Sequence, residues 1–331
     1  MTDNKPLALV TGANGFVGSR LCRHLQQIGY HVIAGIREGA DRSLLRDLEL
    51  DFRFGDINKP ETLPEMVKAV DYIVHNAGIT KTTHKPNFFT VNEQGARNLM
   101  EAVAEHNPDV KRVVHISSVA AAGSSWPGKP IRESDQPRPI TTYGESKLAG
   151  EKAALSFADR INVISIRPPG VYGPGDKAIF EIFKTVHMHI KPMLGNPHRK
   201  LQLVHVDDLC YGVERGLIAD VKPGGAYFIC EKESYTYREL INTVVVAVGR
   251  WTVPLILPSP LFRAVATVSE FLFKALGAVP RLTREKASEL NSFWEMDVTK
   301  ARDELGYESR IPFDEGAAST YRWYVDQGWL S

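Results

Sequence analysis

Only three cysteines occur in 331 residues (Cys22, Cys210 and Cys230), and they show neither metal-ligand spacing nor a disulfide framework. They read as small buried residues of a reducing compartment. No apolar run approaches the roughly 18 residues that a membrane span requires. The start, MTDNKPLALV, lacks the basic opening and apolar core of a signal peptide, so a cytoplasmic location is expected. Charge of one sign is missing too. Forty basic side chains against 39 acidic ones leave a net charge of +1, which gives no drive toward nucleic acid. Neither an internal repeat nor a low-complexity tract is present. What remains is 43% hydrophobic and 24% charged, the balance of a globular chain with one large domain or two modest ones.

The first two-thirds of the chain alternate short apolar runs with helical patterns. That rhythm predicts an α/β fold whose parallel sheet is covered on both faces, doubly wound in the Rossmann manner. Strands are expected at 7–10, 31–36, 51–54, 72–75, 112–117 and 162–167, and helices at 15–28, 61–70, 91–106 and 142–158. After Arg167 a proline- and glycine-rich loop, PPGVYGPGD, loosens the pattern. Mostly helical sequence follows, with short strands at 202–205 and 226–229. The expected division is a dinucleotide-binding domain over 1–170 and a smaller cap over 171–331, with parts such as 200–222 returning to the first domain.

The most telling stretch is LALVTGANGFVG at 7–18. An apolar run feeds a turn containing Gly12, Gly15 and Gly18, and a helix pattern begins near Phe16. Such spacing lets the backbone turn tightly, pass close to a ligand and pack the helix on the strand. Free amides and the positive helix end then suit a pyrophosphate, whereas a tight turn with no ligand is the plainer reading. Further on, Tyr143 and Lys147 stand four apart in TTYGESKLAGE, and on a helix they share a face. A nearby ammonium is expected to lower the phenol toward working pH, so that it can exchange a proton with a carbonyl or alcohol oxygen. Ser118 ends the fifth strand, at the carboxyl edge where ligands collect in such sheets, and its hydroxyl can hold that oxygen. Ser117 is expected to face the other way.

Taken together, TGANGFVG at 11–18, Asp56-Ile57, HNAG at 75–78, Val91-Asn92 and SSVAAAG at 117–123 form an ordered set. It continues with YGESK at 143–147, RPPGVYGPG at 167–175, HVDD at 205–208 and DVTKARDELGY at 297–307. Over nearly its whole length the chain resembles the extended short-chain dehydrogenases/reductases of the epimerase/dehydratase superfamily. The resemblance implies catalysis by Ser118, Tyr143 and Lys147, with Lys147 also holding the nicotinamide ribose. It implies a cofactor surface built from Gly12, Asn14, Gly15, Phe16, Val17 and Gly18. Asp56 and Ile57 would lie beside the adenine, and Asn76, Ala77, Gly78, Asn92 and Ser117 along the cofactor. Pro169, Gly170 and Val171 would lie near the nicotinamide, with Thr80, His84, Ala120 and Tyr172 beside the substrate. A homodimer through helices 91–106 and 142–158 is also implied.

The second strand ends in Ile36-Arg37 with no carboxylate at its tip, which favours NADP over NAD because Arg37 suits a 2′-phosphate. Relatives acting on nucleotide sugars carry an arginine just before the HV-x-D motif, where this chain has Leu201-Gln202-Leu203. Arg199 and Lys200 stand out of register. The match is nearer the branch of dihydroflavonol reductases, 3β-hydroxysteroid dehydrogenases and hopanoid-associated epimerases, which the LTREK stretch at 282–286 also fits. His187, His189 and His198 lack a carboxylate or cysteine at ligand spacing, so no metal is expected. Two readings stand for the apolar helix at 260–276: a cap packed over a substrate pocket, or attachment to a membrane surface. Three functions remain to be separated: an oxidoreductase acting on a ketone or secondary alcohol, a sugar epimerase that retains NAD, and a dinucleotide-binding regulator without turnover.

Overall fold

The computed structural model describes residues 5–275 and 283–330, without the side chains of residues 274 and 275. Leu276, at the end of the apolar helix, and Leu282, which opens the LTREK stretch, lie outside the described residues. Strands β1 (Leu7–Thr11), β2 (His31–Ile36), β3 (Asp51–Phe54), β4 (Tyr72–His75), β5 (Arg112–Ile116) and β6 (Val163–Arg167) fall within one residue of expectation. Between them come α1 (Phe16–Gln27), α2 (Pro64–Val67), α3 (Pro86–Phe89), α4 (Gly95–His106), α5 (Val119–Ala122) and α6 (Thr142–Leu155). The remainder holds β7 (Gly170–Tyr172), α7 (Phe180–His187), β8 (Ile190–Leu194), β9 (Lys200–Leu201), β10 (Leu203–His205) and α8 (Val206–Ile218). It closes with β11 (Ala226–Phe228), β12 (Tyr235–Thr236), α9 (Tyr237–Val248), β13 (Val253–Leu257), α10 (Ser259–Ala275), α11 (Arg284–Asn291) and α12 (Phe313–Asp326).

Seven strands form one parallel sheet in the order β11-β6-β5-β4-β1-β2-β3. The period-two alternation of each strand feeds two cores. Val10, Val114, Ile164 and Ile166 pack on Leu21, Leu25 and Val213 on one side. Leu9, Ile73, Val113 and Val163 pack on Leu99 and Val103 on the other. Burial on both faces is why these strands read as continuous apolar runs. The strand order reverses beside β1, so the loops after β1 and β4 flank the crevice in which such sheets bind ligands.

Three expected elements differ. The helix anticipated at 61–70 is a 3-10 turn at Pro60–Thr62 followed by the one-turn α2. Pro64 starts α2 afresh, Lys68 is extended, and Ala69 takes a φ of +52°. The helix expected at 91–106 begins earlier, α3 running through a π-turn at Thr90–Gln94 into α4. The strand expected at 202–205 is split at Gln202: β9 pairs antiparallel with β12, and β10 pairs parallel with β7. Buried Gln202 interrupts the run by donating to the carbonyls of Glu231 and Lys232 and accepting from Met296 N.

The helix α8 joins the sheet side. It rests against α1, held by Arg20–Asp207 at 2.5 Å and His24–Glu214 at 2.7 Å. Over the other end of the molecule, α7, α9 and α12 share a core of Phe183, Val186, Leu240, Val244, Phe313 and Tyr324. The pair β8–β13 lies apart as a two-stranded parallel sheet.

Candidate active site

The loop after β1 is built by close approach. Gly12 has a φ of +65°, and a Cβ on it would lie 2.9 Å from Ala77 Cα. A Cβ on Gly18 would stand 2.2 Å from the Gly12 carbonyl oxygen, so the first turn of α1 sits directly on the loop. Gly15 begins α1 without a side-chain cap, and no acid occupies the first turn. Its leading amides are therefore left for an external anion, aided by the helix dipole. Thr11 Oγ1 accepts from the amides of Asn76 (3.2 Å) and Ala77 (3.1 Å), which ties the ends of β1 and β4 into one rim. An uncapped helix start behind a glycine turn fits the pyrophosphate of a dinucleotide.

Across the rim lie Ser118, Tyr143 and Lys147. Ser118 caps α5, its Oγ accepting from Ala120 N at 3.1 Å. The same hydroxyl stands beside the Tyr143 phenol and lowers its titration. Tyr143 is brought there because α6 starts hard against α5. Thr141 caps α6 through Gly144 N (3.0 Å), and a Cβ on Gly144 would meet Ala120 O at 2.4 Å. One turn later Lys147 is buried and donates from Nζ to the Ile116 carbonyl at 2.7 Å. A Cβ on Gly78 would lie 3.9 Å from that nitrogen, so the ammonium borders the β4 rim as well.

Electrostatics here correct one expectation. Burial pushes the Tyr143 phenol up to about 12, against the pull of its Ser118 hydrogen bond. Lys147 does not lower it; burial instead takes the ammonium down to about 8, and Glu151 offsets part of that fall. The cause is visible, since Lys147 directs its hydrogen bond at a backbone carbonyl. Glu151, one turn further along α6, is itself held by Arg167 at 2.6 Å and Ser165 at 3.1 Å, all buried. Behind the site His75 bonds Thr11 Oγ1 at 2.9 Å, while neither ring nitrogen of His115 finds a partner. Burial holds both imidazoles neutral, His75 at about 3.

The sequence model of the NAD dependent epimerase/dehydratase family matches residues 8–230, the span that carries the glycine loop, Ser118, Tyr143 and Lys147. The chain is an enzyme of that family. It is 30% identical over 342 residues to a 3-beta-hydroxysteroid dehydrogenase of Mycolicibacterium neoaurum, covering 96% of this chain and 91% of that one. To a ceramide reductase of Caulobacter vibrioides it is 27% identical over 340 residues, covering 99% and 98%. Among solved structures, DesIV, a dTDP-glucose 4,6-dehydratase of Streptomyces venezuelae with NAD bound, superposes with a TM-score of 0.80. That match has 26% identity and covers 98% of this chain and 99% of the other.

Within this epimerase/dehydratase enzyme the remaining expected residues divide. Asn14, Phe16 and Val17 are half-buried on the glycine loop, and Asn76 and Ala77 on the β4 rim. Asp56 is half-buried after β3 and receives Asn58 N (2.9 Å), while buried Ile57 gives its carbonyl to Asn98. Arg37 stands exposed at the tip of β2, and Arg42 stacks 4.5 Å over Phe52. Asn92 is a clamp: its amide accepts from Ile79 N and donates to Ile79 O and Ser146 Oγ, so its side chain is spent on the protein. Ser117 Oγ is buried without a partner. Pro169 is buried ahead of β7, where Gly170 is exposed and Val171 half-buried. Thr80 and His84 are exposed on the loop after β4, and Ala120 is buried under α6.

Tyr172 was expected beside the substrate but is fully buried, enclosed by Phe313, His205 and Gly316. Its place in an apolar core explains that difference. The histidines diverge: His187 Nδ1 meets the Tyr321 hydroxyl and His189 stacks on Trp251. Among the described residues no three potential ligands converge. Arg199 is sequestered, bonding the carbonyls of Leu194 and Asn196 with Tyr237 under its guanidinium.

Sequence reasoning passed over Glu285. Its carboxylate accepts from Thr142 N (3.2 Å) and Thr142 Oγ1 (3.1 Å) and pairs with Lys85, linking α11 to the start of α6. Nothing in a lone glutamate signals a contact across 143 residues. By contrast, the Thr141 cap was readable as a threonine just ahead of a helix.

Proposed function

We propose that this enzyme transfers hydride between a pyridine dinucleotide, NADP in preference to NAD, and a ketone or secondary alcohol. The nicotinamide ring supplies or receives the hydride when bound. Ser118 holds the reacting oxygen, Tyr143 gives its phenolic proton to that oxygen on reduction or takes it on oxidation, and protonated Lys147 anchors the ribose. One observation carries this reading: Ser118, from the end of β5, stands close enough to the phenol of Tyr143, from α6, to draw its titration down, beside the glycine rim. The high phenol in the protein alone fits a group that is a proton donor at rest.

Arg37 at the β2 tip, with no carboxylate there, supports NADP. The nucleotide-sugar alternative lacks its clamp, since Arg199 is locked into backbone carbonyls and Gln202 into the split of β9 and β10. The test is turnover of a ketone panel with added NADPH or NADH, for the natural chain and Tyr143→Phe. The expected loss is about a thousandfold in kcat with NADPH affinity retained. Purified protein that holds NAD tightly and needs none added would favour the epimerase instead, and an unchanged Tyr143→Phe would sink the acid/base assignment.

A further inference from the structure

The apolar helix does not end up as a packed cap. Among the described side chains of α10 only Phe262 and Ala266 are buried, against Ala287 of α11 and Leu194 and Leu257 of the β8–β13 pair. A flanking stripe, Leu261, Val265, Val268 and Leu272, recurs at helical spacing and is exposed, as is Phe271 at 73%. In β13, which leads into α10 through Pro258, Val253, Leu255 and Ile256 are exposed, and Trp251 before it is 71% exposed. So many exposed apolar side chains on neighbouring elements mark an interaction site.

Charge says what covers it. Segments 182–199 and 249–269 contain no aspartate or glutamate, but they contribute Lys184, Lys191, Arg250 and Arg263. Beside Ile256 and Pro254 an open pocket of about 250 Å³ is walled by Lys191 and Arg238. Where the exposed β13 residues meet Lys191 and Arg238, apolar and cationic side chains together complement anionic headgroups above acyl chains. Pairing of β13 with a second copy is disfavoured, because Pro254 removes an edge N–H and Pro258 and Pro260 follow at once. None of the described helices is long and apolar enough to cross a membrane, so the contact is interfacial.

We propose that the β13–α10 face docks the enzyme on an anionic lipid bilayer, its apolar stripe entering the headgroup boundary and Lys191 and Arg238 receiving lipid phosphates. The docking stands independently of the hydride chemistry.

The full chain would be sedimented with vesicles of phosphatidylcholine alone and with about one lipid in three replaced by phosphatidylglycerol. Expected is at least roughly tenfold stronger binding to the anionic vesicles, falling as salt rises. Val268→Asp/Phe271→Asp and, separately, Lys191→Glu/Arg238→Glu should each lose about tenfold of it, with dinucleotide affinity unchanged. No binding to anionic vesicles overturns the proposal, as does binding that neither variant weakens. A concentration-dependent dimer, seen by light scattering without lipid and dissolved by Val268→Asp/Phe271→Asp, would assign the face to a second copy instead.

Discussion

Two parallel strand pairs of similar composition meet opposite fates in this molecule. In β5–β6, Val113, Val114, Val163 and Ile164 are completely buried, because helices cover both faces. In β8–β13, VPLIL is just as apolar, yet Ile256 is 67% exposed. The difference lies in neighbours, not in residues. A strand becomes core only where crossover helices return over it, and β13 runs straight into a helix that lies beside it. The site follows the same division: proton-carrying groups sit where burial shifts their titration, and the exposed pair is left for a partner.

The comparison can be sharpened first by stability. Ile164→Ala should cost about 3–4 kcal/mol in urea unfolding, through lost transfer energy and a cavity. Ile256→Ala should cost under about 0.5 kcal/mol. Similar costs at both positions would erase the distinction between the pairs.

Next comes Lys147, the charge that burial penalises most plainly. It titrates near 8 in the fold and near 10.5 when exposed. Between those values the unfolded chain holds a proton that the folded chain has released, so this group's contribution to stability rises with pH across the window and is poorest below about 8. Lys147→Met should therefore be more stable than the natural chain at about pH 7, by about 2–3 kcal/mol. That advantage should fade to nothing by about pH 10.5, while turnover drops sharply. Urea melts at both pH values check it.

The smallest expected effect concerns the β2 tip. Arg37→Glu should lower NADP affinity about tenfold and leave NAD affinity nearly unchanged, as titration calorimetry would show. An equal loss for both cofactors would mean that Arg37 does not read the 2′ position.

Much of this was legible in the residues. The glycine turn, six strands of the sheet and the pairing of Tyr143 with Lys147 on one helix face depend on local spacing, which a sequence displays directly. The break at Pro64 was readable too, once proline is allowed to restart a helix. Tyr172 was not: its aromatic ring in a glycine-rich loop looks like a ligand contact, and only the packing of α12 turns it into core. Glu285 was invisible for a related reason, since its partners Thr142 and Lys85 are far off in sequence.

The sequence alone determined the period of each element, the turn that receives an anion and the kinds of group available for proton transfer, because backbone sterics and side-chain chemistry act over a few residues. Tertiary structure decided which of those groups lost their water. Desolvation depends on what the whole chain folds over a position, and so only the fold could raise Tyr143, lower Lys147, lock Arg199 away and leave the α10 stripe facing outward.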